Sequence, residues 1–197
     1  MPVGVPKVPY RVSGYEDSSW TDLYNRLYHQ RVLFLGQEIN YETSNQIAGL
    51  MVYLSIHDPS RDIFLLINSP GGAILPGMGV FDIMRFIKPE VQTVCLGIAA
   101  SMAAFLLLGG QVTKRIAFPH SRIMIHQPRS VFFEEKIDIC SQEACEIMKV
   151  HKTMIEIYVK ITGRSAFQIA EDMERDFFMS PEEAQAYGII DMIAAED

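Results

Sequence analysis

The amino-acid sequence predicts an α/β domain with a largely parallel sheet, and two observations lead to that fold class. Short apolar runs of strand length alternate with glycine- or proline-containing turns and with segments of helical periodicity. Such alternation implies crossover connections, which make neighbouring strands parallel. The length of 197 residues, 49% of them hydrophobic, suits one domain with a substantial core. We therefore expect residues 1–197 to form a single domain.

The first half of the chain supplies helices and strands in this alternating order. Asn40 is a favourable N-cap, and apolar residues recur at helical spacing after it. Pro and Gly residues mark the ends of the apolar runs. The expected elements are a helix over Tyr41–Ser55, a strand over Ile63–Asn68 ended by Ser69-Pro70-Gly71-Gly72, a helix over Met78–Phe86 and a strand over Val91–Leu96.

The stretch from Val91 to Thr113 contains no charged residue and, at 23 positions, is long enough to span a bilayer. Gly97 and Ser101 interrupt its interior, and basic residues flank both ends, so no orientation is specified. A membrane span is therefore disfavoured. We interpret the stretch as a buried strand, a tight turn and a buried helix that starts at Ser101 or Met102.

The second half continues the alternation. Gly163 is a natural helix stop, and Ser180 followed by Pro181 and two glutamates is typical of a helix start. The expected elements are strands over Arg115–Ala117 and Ile123–His126, a long helix over Asp138–Ile161, a helix over Ala166–Arg175 and a last helix opening at Ser180.

Composition excludes several classes of protein. The formal net charge is −7, and no Lys/Arg cluster is interleaved with aromatic residues, which argues against nucleic acid as a partner. The three cysteines have neither C-x-x-C nor His-paired zinc spacing, so we expect a reducing compartment and no metal. The first residues contain three prolines but no basic or continuous apolar region, unlike a signal peptide.

Four features suggest nucleophilic catalysis. A serine in the first turn of a helix, here Ser101, can expose its hydroxyl where unpaired N–H groups face a developing negative charge. The glycines of Ser69-Pro70-Gly71-Gly72 allow a close backbone approach, as an oxyanion hole requires. His126 closes a strand. Asp176 is followed by two aromatic residues, which would bury its carboxylate beside the group that it orients, and Asp172 is a rival for this role. Each feature has a competing interpretation. Ser101 could be a plain N-cap and the glycine segment an ordinary turn, while His126 could be structural and Asp176 part of a solvated acidic face.

Four segments together resemble the proteolytic subunits of the Clp protease family, in the family's order and spacing, and Tyr24–Tyr28 is most similar to the plastid-encoded form. The resemblance implies that Ser101 is the nucleophile, His126 the general base and Asp176 its orienting carboxylate. It also implies an oxyanion hole from the backbone N–H groups of Gly72 and Met102, with no metal or cofactor. The four segments are Ile67–Gly72, Gly97–Ala104, Met124–Pro128 and Glu174–Asp176.

The same resemblance implies an architecture and partners. The fold would repeat ββα units, as in crotonases, with a protruding helix–strand handle over residues 129–162 and an N-terminal segment, 1–18, at the axial pore. Related subunits would form two stacked seven-subunit rings, possibly heteromeric, that receive unfolded polypeptides from a hexameric AAA+ unfoldase in the chloroplast stroma. The expected unfoldase-docking residues are Phe64, Leu66 and Phe86.

One departure from the family pattern leaves alternatives open. Many bacterial members have a glycine pair soon after His-Gln-Pro, whereas this chain has bulky and charged residues over Arg129–Lys136. A structural ring subunit with an idle triad is therefore one alternative, and an acyl-CoA enzyme of the crotonase type is another. An α/β-hydrolase is disfavoured, because the residues around Ser101 do not form G-x-S-x-G.

Overall fold

The computed structural model describes residues 4–10, 19–127 and 137–194 of the chain. The helices are α1 (Leu23–His29), α2 (Tyr41–His57), α3 (Ile74–Phe86), α4 (Met102–Leu108), α5 (Ile137–Thr162), α6 (Ala166–Met173) and α7 (Pro181–Tyr187). The strands are β1 (Lys7–Tyr10), β2 (Ser19–Asp22), β3 (Val32–Leu35), β4 (Ile63–Ser69), β5 (Val91–Ala100), β6 (Arg115–Ala117), β7 (Arg122–Ile125), β8 (Phe177–Met179) and β9 (Met192–Ile193).

The main sheet contains seven of these strands and is mostly parallel, which confirms the predicted fold class. Strands β3, β4, β5, β6 and β9 are neighbours in that order, and every pair among them is parallel. Strand β5 changes partners along its length, pairing β6 through Thr93–Cys95 and β7 through Ile98–Ala100. Strand β8 adds to β7 antiparallel, and a separate hairpin joins β1 to β2.

Strand β5 is longer than predicted, because it continues past Leu96 to Ala100. Gly97 looks like a stop in the sequence, but in the fold it makes room for a neighbouring side chain. A Cβ at Gly97 would lie 2.7 Å from Asn68 Oδ1, and that oxygen accepts a hydrogen bond from Ile98 N at 3.2 Å. The register between β4 and β5 shifts here, and the Asn68 amide bridges the gap between the strands.

Most of the uncharged stretch is buried, as predicted, although Leu96 and Val112 are 36% and 55% exposed. Every residue of α4 is buried, and Phe105 packs against Phe81 and Tyr158 at ring-centroid distances of 4.7 and 5.7 Å. Across the described ranges of the chain, we find no helix that is both long and apolar enough to cross a bilayer.

Helix α3 begins at Ile74, four residues before the predicted start at Met78. Pro76 and Gly77 suggested a turn, but a proline is tolerated in the first turn of a helix, where its missing N–H has no intrahelical partner. Gly77 is also required for packing, since a Cβ there would lie 2.3 Å from the Met102 side chain. The boundary prediction was wrong because it treated these residues as breakers.

The C-terminal elements follow the predicted signals closely. Helix α5 covers the predicted range and packs Met154 and Tyr158 into the core, and Gly163 follows with φ of +73°. Helix α6 ends at Met173, two residues early, and α7 starts with a complete capping box between Ser180 and Glu183. The strand portion of the expected handle and most of segment 1–18 lie outside the described residues.

Candidate active site

Ser101 occupies a strained position between β5 and α4. Its backbone has φ of 55° and ψ of −122°, a conformation that residues with a side chain rarely adopt. Ser101 N donates to Met124 O at 2.8 Å, and Ser101 O accepts from Phe105 N at 3.2 Å, so both neighbouring elements hold the turn. The side chain makes no capping hydrogen bond, and Ser101 lines a surface groove.

The glycine turn after β4 packs directly against this serine. Gly71 and Gly72 have φ values of +95° and +146°, which favour glycine. A Cβ at Gly71 would lie 2.6 Å from Ala100 O and 2.8 Å from Ser101 Cβ. A Cβ at Gly72 would lie 2.3 Å from Ile39 O. Both positions therefore require glycine for backbone conformation and for close packing.

The peptide between Gly71 and Gly72 directs an N–H group away from the protein interior. Ile39 N donates to Gly71 O at 2.8 Å, and Ala73 N donates to Ile39 O at 2.8 Å. Because the N–H and C=O groups of a trans peptide point in opposite directions, the N–H of Gly72 points away from Ile39. The Gly72 C=O faces the same way, so this edge offers one donor and one acceptor to an extended chain.

Met102 N–H is the second available donor. It is the first N–H of α4, and such groups lack intrahelical partners and carry the positive end of the helix dipole. Within the part of the chain that the structure describes, neither Met102 N nor Gly72 N donates a backbone hydrogen bond. The two N–H groups border the same groove and can stabilise an anion there.

His126 follows β7 directly and lies beside Asp176. The His126 Nδ1 and Asp176 Oδ1 atoms are 3.2 Å apart, which is within ion-pair distance. The ring N–H is not aligned on the carboxylate, however, so the contact does not qualify as a hydrogen bond. The expected burial of the carboxylate is wrong, because the Asp176 side chain is 44% exposed. The adjacent Phe177 and Phe178 are also exposed, at 37% and 54%.

The rival carboxylate, Asp172, is engaged elsewhere. Its Oδ2 accepts a hydrogen bond from the Tyr187 hydroxyl at 2.8 Å, and its Oδ1 accepts one from Gln168 Nε2 at 3.0 Å. Burial raises the pKa of Tyr187, and the bond to Asp172 raises it further, so this phenol stays protonated. The structure thus brings Asp176, and not Asp172, to His126.

Ser101, His126, Gly72 and Met102 border one groove of about 690 Å³. Its walls combine polar backbone from the glycine turn with methionine side chains, which adapt to ligands of varied shape. Sequence reasoning missed Glu38 and Met154, since neither belongs to a recognisable motif. The lining residues are Glu38, Pro70, Gly71, Gly72, Ala73, Ile74, Ser101, Met102, Met124, His126 and Met154.

Comparison with known proteins shows the family of this chain. The Clp protease family model matches residues 15–197. The chain belongs to the Clp protease family. It is 58% identical over 196 residues to a protein of Lotus japonicus and 56% identical over 196 residues to one of Nicotiana tabacum, with 100% of each chain covered. A Cucumis sativus protein is 58% identical over 194 residues, covering 98% of this chain and 100% of its own. All three are named ATP-dependent Clp protease proteolytic subunit.

Other chemistries have less support in this Clp protease chain. Burial raises the pKa of the Cys95 thiol to about 11, so it carries little thiolate at neutral pH. Among the residues that the structure describes, no three His, Cys, Asp or Glu side chains are grouped so as to hold a metal ion. Ser101 lines the groove beside His126.

The predicted docking residues of this family member lie on two separate surfaces of the chain. Phe64 and Leu66 alternate along β4 with the buried Leu65 and Ile67, so they share the outer face of the sheet. Phe86, which is 83% exposed, instead lines a depression between α2 and the end of α3. Their role in docking stays a prediction.

Proposed function

We propose that this chain is the serine endopeptidase subunit of an ATP-dependent Clp protease and hydrolyses peptide bonds of unfolded polypeptides. The observation that carries the proposal is the convergence of three features on one groove. These are the strained Ser101, His126 and the two N–H donors of Gly72 and Met102, which all line it. Asp176 contacts His126 without lining the groove. Such a combination suits acyl transfer.

In the proposed reaction each group has one step. Ser101 Oγ attacks the carbonyl carbon of the substrate while His126 accepts the hydroxyl proton. The Gly72 and Met102 N–H groups stabilise the negative oxygen of the tetrahedral intermediate. His126 then returns the proton to the leaving amine, which breaks the C–N bond and leaves an acyl ester on Ser101. Water hydrolyses that ester by the same steps, with His126 again as the base.

Asp176 orients the imidazole in this scheme. A carboxylate beside Nδ1 keeps the proton on that nitrogen and leaves Nε2 as the base toward Ser101. The 3.2 Å approach needs a small reorientation to become a hydrogen bond, and catalytic hydrogen bonds commonly tighten when substrate binds. The same imperfect contact is the observation that favours the second candidate, a structural ring subunit with an idle triad.

The substrate would bind as an extended strand along the glycine turn. The outward Gly72 N–H and C=O groups can pair with its backbone, which gives affinity without regard to side-chain identity. The methionine-rich walls accept apolar side chains of different shapes. We therefore expect broad selectivity, as suits a subunit that receives unfolded chains.

We infer that the chain works in stacked seven-subunit rings, shared with related subunits, that a hexameric AAA+ ATPase supplies with substrate. Membership of the Clp protease family supports ring assembly with an ATPase partner. We also infer the chloroplast stroma as its location, since the plant relatives and the resemblance to the plastid-encoded form both favour it. Native mass spectrometry of the purified assembly would identify the ring's subunits and their number.

A fluorophosphonate probe tests the catalytic proposal on the native assembly. We expect it to modify this chain at Ser101, detected as a mass increase on the intact subunit, and we expect Ser101→Ala to remove the label and the chain's peptidase contribution. If neighbouring subunits reacted while this chain did not, the idle-subunit alternative would replace the proposal. Activity that survived Ser101→Ala would instead favour an acyl-CoA enzyme of the crotonase type.

A further inference from the structure

Ser69, the last residue of β4, is a fully buried polar residue behind the candidate oxyanion hole. Its Oγ donates a hydrogen bond to Gln37 O at 2.7 Å and accepts one from Gly71 N at 3.1 Å. A hydroxyl has one proton to donate, so the donor capacity of Ser69 is used on the backbone. The side chain therefore ties the glycine turn to the segment that follows β3.

Two backbone hydrogen bonds complete this tie. Ile39 N donates to Gly71 O, and Ala73 N donates to Ile39 O, both at 2.8 Å. Residues 37–39 and 69–73 thus lie side by side, joined at both ends of the glycine turn. Ser69 supplies the side-chain link nearest Gly71, whose carbonyl belongs to the same peptide as the Gly72 N–H.

The turn needs such a link because the regular sheet does not hold it. The register of β4 against β5 shifts between Ile67 and Ser69, and beyond Ser69 the chain leaves the sheet. Glycines at positions 71 and 72 leave the backbone with more rotational freedom than any other residues would. Ile39 N anchors the Gly71–Gly72 peptide through its carbonyl, and Ser69 Oγ anchors the preceding peptide through Gly71 N. Loss of the Ser69 anchor would let the turn shift and carry the Gly72 N–H away from the groove.

We propose that Ser69 is a positioning residue for the oxyanion hole. By binding Gly71 N and Gln37 O, its hydroxyl fixes the start of the glycine turn. This restricts the turn to the geometry in which Ile39 N binds Gly71 O and the Gly72 N–H faces the developing negative charge. The inference rests on the proposed peptidase function, since it concerns the transition state at Ser101. Ser69 itself does not touch the substrate, because its side chain is fully buried.

A positioning role and a purely structural role predict different measurements. An interaction made mainly in the transition state changes the rate of the chemical step and leaves ground-state binding nearly unchanged. A serine that only stabilises the fold lowers the fraction of competent sites and the melting temperature, and the sites that remain react at the normal rate. The covalent reaction with a fluorophosphonate separates these outcomes on this chain alone, even in a mixed ring.

The experiment compares Ser69→Ala with wild type in the intact assembly. The rate of fluorophosphonate modification of this chain is followed by intact mass at several probe concentrations, giving the maximal rate constant and the concentration for half-maximal rate. We expect the maximal rate constant to fall about 10- to 100-fold, below the loss typical of removing an oxyanion donor outright. The half-maximal concentration should change less than about threefold, as expected for a transition-state effect.

Ser121→Ala is the matched control. Ser121 is also fully buried, and its Oγ also donates to a backbone carbonyl, that of Phe118 at 2.8 Å, but it does not line the groove. Both variants should lose a similar amount of thermal stability, while only Ser69→Ala reacts slowly. A maximal rate constant for Ser69→Ala within about twofold of the Ser121→Ala value would overturn the proposal, because this constant reports the chemical step.

A second variant protects the test against misfolding. Ser69→Cys keeps a similar volume but supplies a weaker hydrogen-bond donor, so its rate constant should fall between those of wild type and Ser69→Ala. Should Ser69→Ala fail to assemble, a wild-type rate in Ser69→Cys would contradict the proposal and a reduced rate would support it. Failure of the wild-type chain to react would count against the proposed function itself, which is a separate result.

Discussion

The Ile125–Phe177 pair between β7 and β8 brings His126 next to Asp176. His126 follows Ile125 and Asp176 precedes Phe177, so on antiparallel strands both lie one position beyond that pair, at the same end of the two strands. The imidazole Nδ1 and the carboxylate Oδ1 consequently come within 3.2 Å of each other, although 50 positions separate them in the sequence. A second contact fixes the site, because Gln127 N donates to Met173 O at 2.7 Å.

Asp176→Asn should lower the maximal peptidase rate about 10²- to 10⁴-fold, because the neutral amide no longer stabilises the imidazolium or its tautomer. Substrate affinity should change little. Asp172→Asn is the matched control, since Asp172 bonds Tyr187 and Gln168 instead, and its rate should stay within about twofold of wild type. Steady-state assays on both variants check this. Equal losses would contradict the specific role of Asp176, and a larger loss in Asp172→Asn would reverse the assignment of the two carboxylates.

Gly71→Ala should abolish most activity and destabilise the chain. The new Cβ would lie 2.6 Å from the Ala100 carbonyl oxygen at a φ of +95°, and the atom it meets belongs to a backbone that cannot rotate away. Gly79→Ala is the control, because nothing lies within 4 Å of its Cβ position and α3 is helical there. That substitution should stabilise the helix by about 0.5 to 1 kcal/mol. Thermal unfolding and peptidase assays of both variants test the contrast.

Asp191→Asn should destabilise the chain by on the order of 3 kcal/mol at neutral pH, because it weakens a buried ion pair. Asp191 Oδ1 and Oδ2 lie 2.6 and 2.8 Å from Arg115 Nη2 and Nε, and the Arg115 side chain is only 5% exposed. Burial opposes ionisation of this carboxyl, but the hydrogen bonds from Arg115 outweigh it and keep its pKa below the ordinary value.

The sign of this shift predicts a pH dependence. A carboxyl whose folded pKa is lowered stabilises the fold fully above its unfolded pKa of about 4 and loses that contribution as the pH falls through the folded pKa. The difference in melting temperature between wild type and Asp191→Asn should therefore be constant from about pH 7 to pH 5 and shrink below pH 4. A difference that grew on acidification would contradict the assignment.

Phe105→Ala should cost about 3 to 5 kcal/mol of stability, since it opens a cavity in the centre of the core. Phe105 is fully buried and contacts both Phe81 and Tyr158. Phe167→Ala removes the same side chain from a position that is 77% exposed, so its effect should stay within about 0.5 kcal/mol. Chemical denaturation of the two variants provides the comparison.

Local signals in the sequence were sufficient for much of the fold. The uncharged run predicted the buried β5 and α4, because only a buried segment tolerates so few charges. The Ser180-Pro181 start of α7 was equally predictable, since capping depends on residues within one helical turn. Short elements such as β3 and β9 were missed, because two to four residues carry too little periodicity to distinguish them.

The sequence by itself determined the alternating order of helices and strands, the positions of Ser101 and His126 at the ends of these elements, and the Gly71-Gly72 turn. Each depends on neighbours a few residues away. The residue pattern left Asp172 as a rival to Asp176, and only the family resemblance favoured Asp176. The tertiary structure brings Asp176 to His126 through the pairing of β8 with β7, which no local signal specifies. It also decided that β5 passes through Gly97, where the Asn68 side chain fills the space that a Cβ would need.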